Sequence, residues 1–138
     1  MEGVQKFSGK WKQYQAESLE DFMKEMGMNF MVRKLARTAN PEMTIEIADG
    51  VMTISTTAGF MSRVNKLKLD AESQMEDEGV LMNYTANMED GKLITTQEPV
   101  DKKRKKVTVY REITDSGDLL QTMCIGDVVC KRWFKRLE

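Results

Sequence analysis

At 138 residues, with 41% apolar and 31% charged side chains, the chain has the composition of one soluble globular domain, large enough to bury a core without disulfide or metal staples. A net charge of −1 argues against a general attraction to nucleic acid or anionic membranes, and no apolar run reaches transmembrane length. There is no histidine, no Cys-x-x-Cys, no glycine-rich phosphate loop and no Gly-x-Ser-x-Gly, so neither an enzyme nor a metal or cofactor site is expected.

Phe7 to Tyr14 reads as a first strand. Ser18 then stands as an N-cap with Asp21 at the N3 position, a weakened capping box. Leu19, Phe22, Met23 and Met26 follow at helical spacing, and Gly27 ends that helix. A second helix is predicted from Asn29 to about Ala39 and is stopped by Pro41. Its apolar side is Met31, Leu35 and Ala39, with Arg33, Lys34 and Arg37 displayed elsewhere. Residues 17 to 39 thus form a short helical hairpin.

After Pro41 the period changes from 3.6 to 2. Met43, Ile45 and Ile47 alternate with Thr44 and Glu46, Asp49-Gly50 is a tight hairpin signal, and Met52, Ile54 and Thr56 continue in the next strand. Further turn signals at Gly59, Asp70, Glu78-Gly79, Asp90-Gly91, Ser116-Gly117 and Gly126-Asp127 recur about every ten residues, as in an antiparallel meander. Glu76-Asp77-Glu78 falls in such a turn, where solvated acids are expected rather than acid–base chemistry. Some ten strands are too many for a flat open sheet, so a mainly β fold is predicted: one closed antiparallel up-and-down barrel over residues 1 to 138, with the helical hairpin as a lid. A barrel of this width can hold one small ligand.

Lys102-Lys-Arg-Lys-Lys106 is the one charge run. A solvated hairpin connection is expected there; a nuclear address or nucleic-acid patch is the competing reading. The opening Met-Glu-Gly-Val-Gln-Lys has no apolar stretch of the secretory kind, which points to the cytoplasm. Cys124 and Cys130 are then expected as free thiols.

Two arginines fall in apolar register. In the last strand Val128, Cys130, Arg132 and Phe134 share one face, opposite Val129, Lys131, Trp133 and Lys135. One hairpin earlier Val107, Val109 and Arg111 share a face, opposite Thr108, Tyr110 and Glu112. A buried guanidinium stays charged and needs an anionic or hydrogen-bonding partner. Either an internal glutamate answers them, or they lie at a rim, or the interior accepts a ligand carboxylate.

Phe7-Ser-Gly-Lys-Trp11, the helix start, Gly27-Met-Asn-Phe-Met-Val-Arg-Lys34 and Asn40-Pro41 resemble the opening of intracellular lipid-binding proteins. The ending Asp127-Val-Val-Cys-Lys-Arg132 is similar to that of the cellular retinoic-acid-binding branch. The resemblance covers essentially the whole chain. It implies a ten-stranded β-clam whose two helices cap a portal, a fatty acid or retinoid inside, and Arg111 and Arg132 on the ligand carboxylate. Phe134 departs from the family pattern, which has a tyrosine whose hydroxyl joins the carboxylate. Leu19 stands where the helix start is commonly aromatic, and residues 98 to 106 are a longer and more basic connection than usual.

The cavity and portal residues expected on this basis are Leu19, Met23, Leu35, Ala36, Met43, Met52, Phe60, Met61 and Met123. Methionine, with three rotatable bonds and a polarisable sulfur, adapts to variable acyl shapes. Lys24, Arg33, Lys34 and Arg37 are expected to touch anionic membranes transiently during ligand transfer, a role the resemblance suggests. A monomeric, non-enzymatic carrier that binds no nucleic acid follows, with nuclear entry left open. The alternative is an interaction module with a filled core, Arg111 and Arg132 paired internally, and the basic run binding nucleic acid or a protein.

Overall fold

The computed structural model describes residues 3–59, 61–77 and 79–137, with side chains for all of these except Arg37, Thr38, Met61 and Asp77. A 3-10 turn, Val4–Phe7, leads into β1 (Gly9–Glu17). Two helices follow, α1 (Leu19–Glu25) and α2 (Phe30–Thr38). Nine strands complete the chain: β2 (Glu42–Ala48), β3 (Val51–Ala58), β4 (Met61–Lys68), β5 (Glu72–Asp77), β6 (Val80–Glu89), β7 (Lys92–Pro99), β8 (Val107–Ile113), β9 (Leu119–Ile125) and β10 (Val128–Arg136). Ten strands in the order β4-β3-β2-β1-β10-β9-β8-β7-β6-β5 form one antiparallel sheet. The β1–β10 ladder joins the two ends of the chain, and β4 and β5 are the sheet edges, near each other without a ladder. The expected barrel with a lid between its first and second strands is present.

The hairpins are tight where the residues permit it. Asp49 and Gly50 have φ of 54° and 75°, the left-handed pair that a two-residue turn matching strand twist requires. Strand faces follow period 2: Leu119, Gln121, Met123 and Ile125 of β9 are buried and alternate with half-exposed neighbours.

Three local expectations are corrected. Phe7 belongs to the 3-10 turn, and β1 begins at Gly9; Phe7 is fully buried and its carbonyl accepts the Trp11 indole N–H at 3.0 Å. Ser18 precedes α1 but makes no capping bond, because its φ of 58° turns the side chain away from the first-turn amides. Asn29 does cap α2, its side chain accepting from the Val32 amide at 3.0 Å. The supposed inner stripe of α2 faces outward in part: Met31 is 64% and Leu35 41% exposed, while Ala36 turns toward β1. The lid is short and meets the barrel chiefly through α1, so α2 leaves part of its apolar surface uncovered.

The interior holds two apolar clusters. The larger contains Phe7, Trp11, Met43, Ile45, Met52, Leu93, Leu119 and Phe134. The smaller lies under α1 and contains Phe22, Val107, Met123, Ile125 and Cys130, with Leu19 and Met26 against it. Each strand from β8 through β10 passes from one cluster to the other, and the residues between are polar.

Candidate functional site

That intermediate level is a belt of five polar side chains, one from each of five adjacent strands: Thr95 (β7), Arg111 (β8), Gln121 (β9), Arg132 (β10) and Gln13 (β1). Gln13, Thr95, Arg111 and Gln121 are buried and Arg132 is half-buried. Gln121 lies opposite both Arg111 and Arg132 in the ladders. Arg111 donates through Nε to Gln121 Oε1 at 3.1 Å and through Nη1 to Thr95 Oγ1 at 3.2 Å. Gln121 in turn donates through Nε2 to the Met123 sulfur at 3.1 Å. Arg132 donates through Nε to Gln13 Oε1 at 2.5 Å, and its guanidinium lies 5.4 Å from the Phe134 ring centroid.

Neither arginine has a carboxylate partner among the described residues. Each is held by neutral oxygens, which satisfy some N–H groups without cancelling the charge. Burial, and then the neighbouring Arg132 charge, push Arg111 down to about 10. Burial also lowers Arg132. Both remain cations at neutral pH. Terminal nitrogens stay uncommitted among the described residues: Nη2 of Arg111 and both Nη atoms of Arg132. Two adjacent cations with spare donors in a low-dielectric interior are chemically equipped to bind one anion.

A β-bulge follows Gln13 at the edge of this belt. The β1–β10 register slips between Gln13 and Gln15, leaving Tyr14 unpaired in the ladder. The Tyr14 hydroxyl donates to Asp118 Oδ2 at 2.6 Å, which pins the bulge from outside and raises the phenol above its ordinary range. Beyond the bulge Ala16 is the residue opposite Arg132.

Two spaces adjoin the belt. A cleft of about 310 Å³ lies between β1 and the lid, lined by Gln13, Ala16, Leu19, Met23, Ala36 and Asn40 among others. A smaller space of about 60 Å³ touches Arg111, Thr95, Val109, Tyr84 and Leu67.

The residues singled out from sequence are distributed as follows. Arg111, Arg132, Phe134 and Met123 come together at the belt, and Leu19, Met23 and Ala36 line the cleft. Met43 and Met52 pack in the larger cluster and line neither space, and Leu35 is on the outside of α2. Phe60 and the Met61 side chain lie outside the described residues. Gln13, Thr95 and Gln121 were missed, although period-2 alternation with Trp11, Leu93 and Leu119 marks each of them as inward-facing.

The basic run is partly engaged within the protein. Lys102 pairs with Glu98, and Lys105 pairs with Glu25 at the end of α1, each at 2.5 Å. β7 extends to Pro99, so the connection proper is 100–106. Cys124 and Cys130 are free thiols. Among the described residues no helix is long and apolar enough to cross a membrane, and no acidic, cysteine or histidine cluster could hold a metal.

Comparison with known proteins agrees with this architecture. Human fatty acid-binding protein 9 is 29% identical over 97% of this chain and 99% of its own length. Bovine cellular retinoic acid-binding protein 2 is 30% identical over 94% and 97%. The crystal structure of a fatty acid-binding protein from Drosophila melanogaster brain superposes with a TM-score of 0.80 at 28% identity, over 94% of this chain and 98% of that one. With residues 8–137 also matching its family model, the chain belongs to the lipocalin / cytosolic fatty-acid binding protein family.

Proposed function

We propose that the protein is a non-enzymatic carrier that takes a long-chain fatty acid or retinoic acid into its barrel and holds the carboxylate with Arg111 and Arg132. The observation that carries this reading is the buried Arg111 and the half-buried Arg132, two guanidinium groups with neutral partners only. Leaving a buried charge uncompensated costs several kcal/mol, an arrangement that makes sense in a protein whose ligand brings the counter-charge. Relatives named for fatty acid and for retinoic acid support both ligand classes.

The cleft of about 310 Å³ is at the small end of ligand pockets, roughly 300–1,000 Å³. The space at Arg111, about 60 Å³, has room for about two waters. An acyl chain therefore enters by displacing side chains, and the buried Met23, Met43, Met52, Met82 and Met123 have the torsional freedom to move. Contact with anionic membranes during transfer falls to the exposed Lys24 of α1 and to Lys34 on α2 near Phe30 and Met31; the Arg37 side chain lies outside the described residues. Arg33 is turned inward to Glu20 at 3.0 Å and to the Met28 carbonyl at 2.7 Å, so it contributes little to that surface. Internal pairing of Lys102 and Lys105 argues against nucleic-acid binding by the run.

Displacement of a fluorescent fatty acid from delipidated protein tests the proposal and separates its two branches. Oleate, retinoic acid or both should displace the probe at one site per chain. Failure of both acids would refute the carrier reading.

A further inference from the structure

Gln13 carries an inference that rests on the carrier reading and goes beyond it. The Arg132 Nε–H can only donate, so the Gln13 atom 2.5 Å from it is the amide oxygen. The amide NH2 is thereby placed beside the guanidinium, and among the described residues it has no hydrogen-bond partner. Gln13 is 7% exposed and lines the cleft under the lid together with Ala16 and Met23. A largely enclosed side chain whose amide nitrogen still opens on the cleft, next to a cation, is ready for an acceptor that arrives from outside the protein.

Phe134, which stacks on the same guanidinium, has no hydroxyl to offer. We propose that Gln13 is a specificity-determining residue of the anion site. Its amide NH2 donates to the ligand carboxylate alongside the Arg132 terminal nitrogens, and supplies the neutral donor that Phe134 cannot. Alternation with Trp11 turns this side chain inward, and the bulge that follows puts the small Ala16 opposite Arg132, which leaves space for the carboxylate to approach.

The test is a double-mutant cycle read with two probes, oleate and oleyl alcohol, by displacement of a fluorescent fatty acid. Gln13→Leu should weaken oleate several-fold and leave the alcohol within about twofold. Phe134→Tyr should restore oleate binding in the Gln13→Leu background and improve it much less in the wild type, since the donor position is then already filled. Gln13→Glu keeps the size of the side chain but brings an internal carboxylate to Arg132; it should weaken oleate more than tenfold while raising the melting temperature. Unchanged oleate binding in Gln13→Leu, an equal loss for acid and alcohol, or the same Phe134→Tyr gain in both backgrounds would each overturn the assignment. Wild-type protein that binds retinoic acid but not oleate moves the same cycle to retinoic acid and retinol with the same expectations, whereas wild-type protein that binds neither acid would overturn the carrier reading, and this inference with it.

Discussion

Arg132 and Arg111 divide one task unequally. Arg111 has two protein oxygens on it and one spare nitrogen, whereas Arg132 has one oxygen and two spare nitrogens. Arg132 is therefore the better equipped to form a bidentate pair with a carboxylate. Arg132→Gln should weaken acid binding by about tenfold or more, since a hydrogen bond to a charged group is worth roughly 1.5–3 kcal/mol. The ligand-free protein should keep or gain stability in a denaturant titration, because a buried cation without a counter-charge is removed. A large loss of stability with unchanged affinity would show that Arg132 serves the fold instead.

The lowered position of Arg111 has its own consequence. Folding depresses this group to about 10, so the unfolded chain binds more protons between that value and the ordinary arginine range. Its stability penalty is thus constant near neutrality and is relieved only as pH rises through about 10. A bound carboxylate favours the charged form, so acid affinity should be flat from about pH 6 to pH 9 and weaken above about pH 10. Calorimetric titrations across that range check the sign. A midpoint near neutrality would point to some other titrating group.

At the level of elements, the lid and the hairpins separate binding kinetics from stability. The Asn29 cap, together with the Arg33 bonds to Glu20 and the Met28 carbonyl, fixes the start of α2, and α2 meets the barrel lightly. Asn29→Ala should cost about 1 kcal/mol locally and speed both ligand release and hydrogen exchange in α2. Gly50→Ala, in the β2–β3 turn at a φ of 75°, should instead lower global stability by about 1–2 kcal/mol and leave ligand exchange unchanged. The Lys105–Glu25 pair ties the long basic connection to α1 but is exposed, so Lys105→Ala should leave the melting temperature nearly unchanged. Thermal unfolding and stopped-flow ligand release distinguish these outcomes.

For the whole molecule, what could be read in advance followed from repetition. The meander, its turns and the faces of β8 and β10 all rest on period 2 sustained across a hundred residues, and so Arg111 and Arg132 were visible before any contact was known. Gln13, Thr95 and Gln121 were equally inward by alternation, yet a lone glutamine or threonine in a strand resembles a surface residue unless its partners are known. Their role emerges only when five strands are laid side by side. The inactive cap at Ser18 and the outward apolar residues of α2 were illegible for a different reason: one depends on a single left-handed φ, the other on how lightly a short helix packs.

The most direct measurement for the whole molecule is native mass spectrometry of the untreated protein, the delipidated protein and the delipidated protein given oleate or retinoic acid. One acid per chain should be present in the first or restored in the last, and the Arg111→Gln, Arg132→Gln double variant should lose it while remaining folded. An untreated protein free of any adduct that also takes up neither acid, or a double variant that retains the acid at full occupancy, would contradict an arginine-held carboxylate inside the barrel.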